Sequence, residues 1–172
     1  VRTAADKFFA TNNDSFLYFE APSFYESLIK NHDNIKYYYS EYLMKLDFND
    51  YTRLKCAVPE GLHEYDSFFS DDNNDYLLYM NDDAAEPCAV CSIDYGEKQT
   101  CIYDVYVDED MRNTGVGTFF IANLLNDYFE NNKNPLVLQV SSKNAAAVKL
   151  YKKAGFNITE QLDYCALYKN PA

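Results

Sequence analysis

Residues Val105–Thr118 read VYVDEDMRNTGVGT, and the rest of the chain is arranged about this stretch. Val105 and Val107 alternate with Tyr106, as in a strand. Arg112, Asn113, Thr114, Gly115, Val116, Gly117 and Thr118 follow as a turn. Phe119, Phe120, Ile121, Leu124, Leu125, Tyr128 and Phe129 then recur at helical spacing. A strand, a glycine turn and a helix start suit phosphate binding. Glycine lets the backbone approach an anion closely, and the first helical turn points unpaired N–H groups outward. The helix dipole and Arg112 add positive potential. A glycine turn that only caps a helix reads the same way. The stretch is not a dinucleotide G-x-G-x-x-G, and it lacks the Lys-Ser/Thr of a nucleoside-triphosphate loop.

Working outward, three segments upstream predict antiparallel strands with short links: Tyr76–Met80, Pro87–Tyr95 and Thr100–Val107. Downstream, helix Thr118–Asn131 leads through a breaker at Asn132–Pro135 into a buried-type strand, Leu136–Val140. A helix over Ala145–Ala154 ends at Gly155. Phe156–Thr159 and Tyr164–Tyr168 are expected to close the domain as two strands. The expected fold is a mixed α/β sheet flanked by helices, with the strand before the glycine loop parallel to Leu136–Val140. Nearer the N-terminus, Val1–Thr11 reads as the end of a helix and Phe16–Glu20 as a strand. Pro22 marks a helix start carrying Phe24, Tyr25, Leu28 and Ile29, and Ile35–Phe48 reads as one or two strands. Tyr51–Val58 is expected as a strand, with Leu54, Cys56 and Val58 on one face. Pro59–Phe69 is expected as a short helix.

The chain has 172 residues, 48% of them hydrophobic, enough for one full core and part of another. No apolar run approaches the ~20 residues of a membrane span. Five scattered cysteines fit cytosolic thiols better than a disulfide framework. Cys88 and Cys91, three apart on a strand, point to opposite faces and read as core thiols, so no metal is expected. His32, His63, Ser141 and Ser142 match no catalytic pattern.

The net charge of −12 argues against nucleic acid or an anionic membrane as partner. Residues 1–50 carry 8 acidic and 5 basic groups, residues 51–110 carry 15 and 3, and residues 111–172 carry 4 and 7. The segment holding the glycine loop is mildly basic and the one before it strongly acidic. An anionic cofactor on one side and a cationic substrate on the other would suit that distribution. Asp71-Asp72 and Asp82-Asp83, taken singly, read as solvated turns.

Leu136–Phe156, LVLQVSSKNAAAVKLYKKAGF, carries Asn144, Ala147, Leu150, Tyr151, Gly155 and Phe156 in the pattern Asn-x-x-Ala-x-x-Leu-Tyr-x-x-x-Gly-Phe. Together with R-x-x-G-x-G after a strand, this resembles the GNAT superfamily of acetyl-CoA-dependent N-acetyltransferases. The resemblance covers about residues 51–172 in element order and is specific over about 104–156. It implies a splayed central mixed sheet. The pantetheine arm would lie in the gap and pair with the main chain of Val105 and Val107. Arg112 through Thr118 would wrap the pyrophosphate, and Asn144 would bond the pantetheine. Lys152 and Lys153 are candidates for the 3′-phosphate. The implied reaction is direct attack of an amine on the thioester in a ternary complex. Tyr151 is general acid toward the leaving thiolate, and Asp104, with Glu86 behind it, is the candidate base. Tyr103 and Tyr106 are expected on the acceptor side.

The resemblance departs at the acceptor side, where one short helix fits instead of two. Residues 1–50 read as an N-terminal segment, the tail of a degenerate first domain or an extension of the 51–172 domain. The expected protein is cytoplasmic. It takes acetyl-CoA as co-substrate and a small or peptide amine as acceptor, and a homodimer is left open. The competing reading is a non-catalytic module that binds acyl-CoA or a partner protein.

Overall fold

A computed structural model describes residues 16–22, 35–62, 68–70, 75–80 and 84–168. The readings placed on Val1–Thr11, on the body of the helix expected from Pro22 with Phe24, Tyr25, Leu28 and Ile29, and on His32, His63, Asp71-Asp72 and Asp82-Asp83 lie outside the described residues. The chain divides into two compact units. One comprises residues 1–43, 140–145 and 158–172, and the other residues 44–139 and 146–157.

In the first unit β1 (Phe16–Pro22) pairs antiparallel with β8 (Asn157–Tyr168), from Phe16 opposite Tyr168 to Pro22 opposite Leu162. β8 neighbours β2 (Ile35–Leu46), and β2 neighbours the end of β7 (Leu136–Ser141). Pro22, read as a helix start, is the last residue of this strand, and the residues that follow it lie outside the described ones. The expected break within 156–168 is absent: one strand of 12 residues runs through Glu160–Asp163. Two side-chain bonds hold it to β2. Buried Ser40 donates to buried Asp163 at 2.6 Å, and Thr159 donates to the Leu43 carbonyl at 3.2 Å. Buried polar groups in a partnered pair keep the strand in register without an unsatisfied donor.

In the second unit the order is β7, β6 (Thr100–Val107), β5 (Ala89–Tyr95), β4 (Asp75–Leu78) and β3 (Phe68–Ser70). β3 to β6 form an antiparallel meander, and β6 runs parallel to β7. The parallel pair is joined through α1 (Val116–Asn131), since parallel neighbours need a long crossover connection. Nine of its sixteen residues are buried, among them Phe119, Phe120, Leu124, Leu125 and Tyr128, and this apolar face dominates its stabilisation. Tyr128 finds a partner inside, donating to Thr100 Oγ1 at 2.7 Å. α2 (Ala145–Lys153) buries only Tyr151 and ends in a turn in which Gly155 N–H donates to Lys152. Cys88 and Cys91 are both buried, and burial pushes the Cys91 thiol up to about 12.

Two expectations fail here for physical reasons. Tyr51–Val58 is extended but joins no ladder. Its alternation is real: Leu54, Cys56 and Val58 are half-buried while Arg53, Lys55 and Ala57 are exposed. Its backbone, however, is held by a side chain. Asn126 of α1 accepts from Leu54 N–H at 3.1 Å and donates to the Leu54 carbonyl at 3.0 Å. Tyr51 donates to the same amide oxygen. Past Pro59 the Leu62 N–H donates to the Pro59 carbonyl in a turn, residues 63–67 lie outside the described residues, and Phe68-Phe69, expected at the end of the helix, pair in β3 instead.

Candidate active site

β6 changes character halfway along. Its parallel pairing with β7 covers Thr100–Leu136, Cys101–Val137 and Ile102–Leu138, then stops. On its other side Ser92 pairs with Tyr103 and Val90 with Tyr106. Two steps on β5 thus oppose three on β6, which is a β-bulge at Asp104–Val105. Asp104 takes φ +50°, a left-handed conformation that Asp tolerates better than most residues. The extra residue flips the alternation. Thr100 and Val107 lie an odd number apart, yet both face α1: Thr100 bonds Tyr128, and Val107 lies against Gly117. Tyr103 and Tyr106 share the opposite face, 46% and 48% exposed.

After Val107, a short 3₁₀ turn over Glu109–Met111 leads to the loop Arg112–Gly115. Asn113 has φ +66° and Gly115, the N-cap of α1, has φ +97°. No side chain caps the helix, and no acidic residue lies in its first turn. The N–H groups of Val116, Gly117 and Thr118 therefore face outward without helical partners, which suits an anion. The loop's side chains are less free than the sequence implies. Thr114 donates to the Met111 carbonyl at 2.6 Å. Arg112 Nε donates to the Val107 carbonyl at 3.0 Å, its Nη1 reaches Glu109 at 3.3 Å, and its guanidinium lies 5.7 Å from the Tyr106 ring centre. In this structure the Val107 carbonyl is taken by Arg112, whereas Val105 and Val107 were assigned to the pantetheine arm.

A cleft of about 400 Å3 opens beside Gly115 and Thr118. Ile121, Ala122, Leu150 and Ala154 give it apolar walls, and Lys55 and Lys153 bring two ammonium groups. Burial raises the thiol of Cys56, which also lines it, and the charge of Lys153 pulls that thiol the other way. Lys153, a candidate for the 3′-phosphate in the sequence, thus lines the cleft beside Gly115 and Thr118. Lys55, Leu54 and Cys56 were not anticipated as lining. Their signal was the alternation of 51–58 itself, read as a strand and not as a cleft wall. Gly117 packs inward, where an added Cβ would meet Val107 at 3.5 Å and Leu150 at 3.7 Å.

Tyr151 is 5% exposed, its ring edge-on to Phe156 at 5.9 Å. Burial, and to a smaller degree Cys91, push its phenol up to about 12. Cys91 lies between Val90 and Ser92, opposite the bulge, so Tyr151 approaches the sheet beneath Asp104–Val105. A phenol with so high a pKa is protonated at neutral pH and can donate a proton. Asn144 lies in the other unit, exposed in the turn before α2, its N–H bonded to the Ser141 carbonyl at 2.9 Å.

The sequence model of the acetyltransferase (GNAT) family matches residues 29–156, most of the chain. The chain belongs to the GNAT acetyltransferase family. Solved structures of similar fold include a GCN5-related N-acetyltransferase from Sphaerobacter thermophilus (TM-score 0.69, 12% identity), of which the match covers 98% of this chain and 65% of that one. A GCN5-related N-acetyltransferase from Kribbella flavida matches with TM-score 0.64 and 14% identity, over 96% of this chain and 73% of that one. A putative GNAT acetyltransferase from Novosphingobium aromaticivorans matches with TM-score 0.58 and 13% identity, over 99% and 83%. At these identities the likeness shows the fold. This GNAT chain spans less than two thirds of the Sphaerobacter protein. Among curated proteins none matches it in sequence. No helix among the described residues is long and apolar enough to cross a membrane.

Proposed function

We propose that this GNAT protein transfers an acetyl group from acetyl-CoA to a primary amine. The observation that carries the reading is the uncapped N-terminus of α1 opening beside a cleft that holds Lys55 and Lys153. Its outward N–H groups and two cations suit the phosphates of acetyl-CoA. Arg112 keeps further guanidinium N–H groups beyond the two it uses on Val107 and Glu109, and these can serve the same anion. Asn144 and Lys153 complete the proposed set.

Bound acetyl-CoA supplies the acyl group, and the chain's own residues position the reactants and move protons. β6 beyond Ile102 has no ladder partner on its β7 side among the described residues, so its backbone can accept an extended ligand there. A neutral amine attacks the thioester carbonyl, forming the amide bond as the carbon–sulfur bond breaks. Tyr151 gives its phenolic proton to the departing sulfur. The amine's own proton leaves through Asp104 or water, since an alkylamine is mostly protonated near neutral pH. The same proposal includes a cytoplasmic enzyme, a homodimer as the open oligomeric state, and neither nucleic acid nor a membrane as partner. Residues 51–172 would form the catalytic domain with 1–50 as the tail of a preceding one. The family match begins at residue 29, so expressing 51–172 alone is the check on that boundary.

The test is thiol release from acetyl-CoA in the presence of a panel of amines. Turnover that Tyr151→Phe lowers by about a hundredfold, with the KM for acetyl-CoA little changed, supports the role of the phenol. Binding of acetyl-CoA without turnover on any amine would favour the non-catalytic module.

A further inference from the structure

The motif that carries Asn144 is built around a strand from outside it. β7 leads through the turn Ser141–Asn144 into α2, and α2 leads into β8. In the sheet β7 and β8 are not neighbours. β2 lies between them, in the order β1-β8-β2-β7. This strand belongs to residues 1–50, the segment proposed as a tail. Tyr39 and Ser40 hold it against β8. The Tyr39 ring stacks on Tyr164, centres 4.6 Å apart. Ser40 follows the run Tyr37-Tyr38-Tyr39 with a small hydroxyl, which donates to Asp163 Oδ1 at 2.6 Å. Ser40 is 5% exposed and Asp163 2%, and Gln161 Nε2 lies 3.5 Å from the same oxygen. A hydroxyl–carboxylate bond of this length is a strong one, and a buried acceptor is costly to leave without its donor. On its other side the Ser40 carbonyl accepts the Ser142 N–H at 2.9 Å. One buried residue thus ties β8 to the turn that opens α2.

We infer, on the acyl-transfer reading, that Ser40 is a positioning residue for acetyl-CoA: through Ser142 it fixes the turn that presents Asn144 to the pantetheine arm. The turn is built on its first two residues. Asn144 N–H donates to the Ser141 carbonyl at 2.9 Å, and Lys143 N–H lies 3.4 Å from Ser141 Oγ. Asn144 itself is exposed, so its amide is aimed only as well as the backbone beneath it is held. Ser40 supplies that hold from the interior. Its hydroxyl is locked by Asp163, and its carbonyl passes the constraint to Ser142. A turn displaced by about 1 Å would carry the Asn144 amide out of hydrogen-bond reach of a bound ligand. The N-terminal segment thereby contributes to cofactor binding without touching the cofactor.

The experiment is a double-mutant cycle on acetyl-CoA affinity, measured by calorimetry on the intact chain. Asn144→Ala should weaken binding about tenfold and Ser40→Ala about fivefold, while Ser40→Thr, which keeps the hydroxyl, should stay within about twofold of the wild type. Adding Ser40→Ala to Asn144→Ala should cost nothing more, because the contact that Ser40 positions is already gone. Hydrogen exchange at the Ser142 N–H should quicken in Ser40→Ala. Tyr128→Phe, which removes a buried hydroxyl bond elsewhere, should lower the melting temperature and leave the affinity alone. If Ser40→Ala does not fold, Asp163→Asn takes its place in the cycle, keeping an acceptor for the hydroxyl without the charge, with a loss of about threefold. Additive losses in the double variant, wild-type affinity in Ser40→Ala, or equal weakening in Tyr128→Phe would each overturn the proposal. Its failure and that of acyl transfer remain distinguishable. A wild type that does not bind acetyl-CoA sinks both. Binding that Asn144→Ala leaves unchanged sinks the role of Asn144 and of Ser40 with it, and acyl transfer stands.

Discussion

Arg112 Nε donates to the Val107 carbonyl at 3.0 Å, so the first residue of the glycine loop is tied back to the last residue of β6. The link fixes where the loop leaves the strand, and hence where the first N–H groups of α1 point. It also means that Arg112 serves structure and ligand at once.

Replacing Arg112 by Ala should therefore show in two assays. Losing the carbonyl bond, the exposed Glu109 pair and the Tyr106 contact should cost about 1–2 kcal/mol, because each is worth little at a wet surface. The melting temperature should fall by roughly 3–6 °C. Acetyl-CoA affinity should fall about tenfold, more than a surface charge far from the cleft would cause. Calorimetry and thermal melting check the pair of effects.

Asn126 is predicted to hold the whole 51–57 segment. Its amide satisfies both backbone groups of Leu54, which then have no protein partner once the amide is gone. Asn126→Leu keeps the volume but removes both bonds, at about 1–3 kcal/mol. Because Leu54 to Ala57 form a cleft wall, acetyl-CoA binding should weaken with it. Hydrogen exchange at Leu54 N–H would rise locally if the account is right.

Gly115 has φ +97° with nothing within 4 Å of an added Cβ. Gly115→Ala should thus cost about 1–2 kcal/mol through backbone strain alone, with no steric clash. A melt that does not move would show that the loop adopts another conformation.

The pH dependence follows from Tyr151. Its folded pKa of about 12 stands above the ordinary value near 10, so folding favours the neutral phenol. Stability from this residue is complete below about pH 10 and is lost as pH rises toward 12, by about 2–3 kcal/mol in all. Tyr151→Phe should flatten that alkaline loss in denaturant titrations. Tyr151 should also produce no limb in the activity profile below about pH 10.

β4 to β6, the parallel pair and both described helices were legible because their signals are local, whereas Phe68-Phe69 of β3 read as the end of a helix. Alternation marks a half-buried strand, and helical spacing marks α1. The bulge at Asp104 was not legible, since one inserted residue leaves no mark in composition. It is nevertheless what brings Thr100 and Val107 to the same face. Tyr51–Val58 shows the limit from the other side. Alternation reported which residues face inward, but whether the backbone joins a ladder depended on Asn126, some seventy residues away. That residue did carry a signal, a polar amide between Ala122 and Phe129 on a buried stripe. In the proposed site the helix start is uncapped and Tyr151 is buried. The engagement of Arg112 and Thr114 within the loop depends on turn geometry that spacing does not encode.

The most direct test of the central claim is calorimetric titration with acetyl-CoA of the wild type and of Thr118→Glu. Thr118 lies in the first turn of α1 and lines the cleft, so a carboxylate there favours the helix while opposing phosphates. The account predicts micromolar-range binding by the wild type and loss of about tenfold or more in the variant, with the melting temperature unchanged or raised. Equal binding by both proteins, or no binding by the wild type, would contradict it.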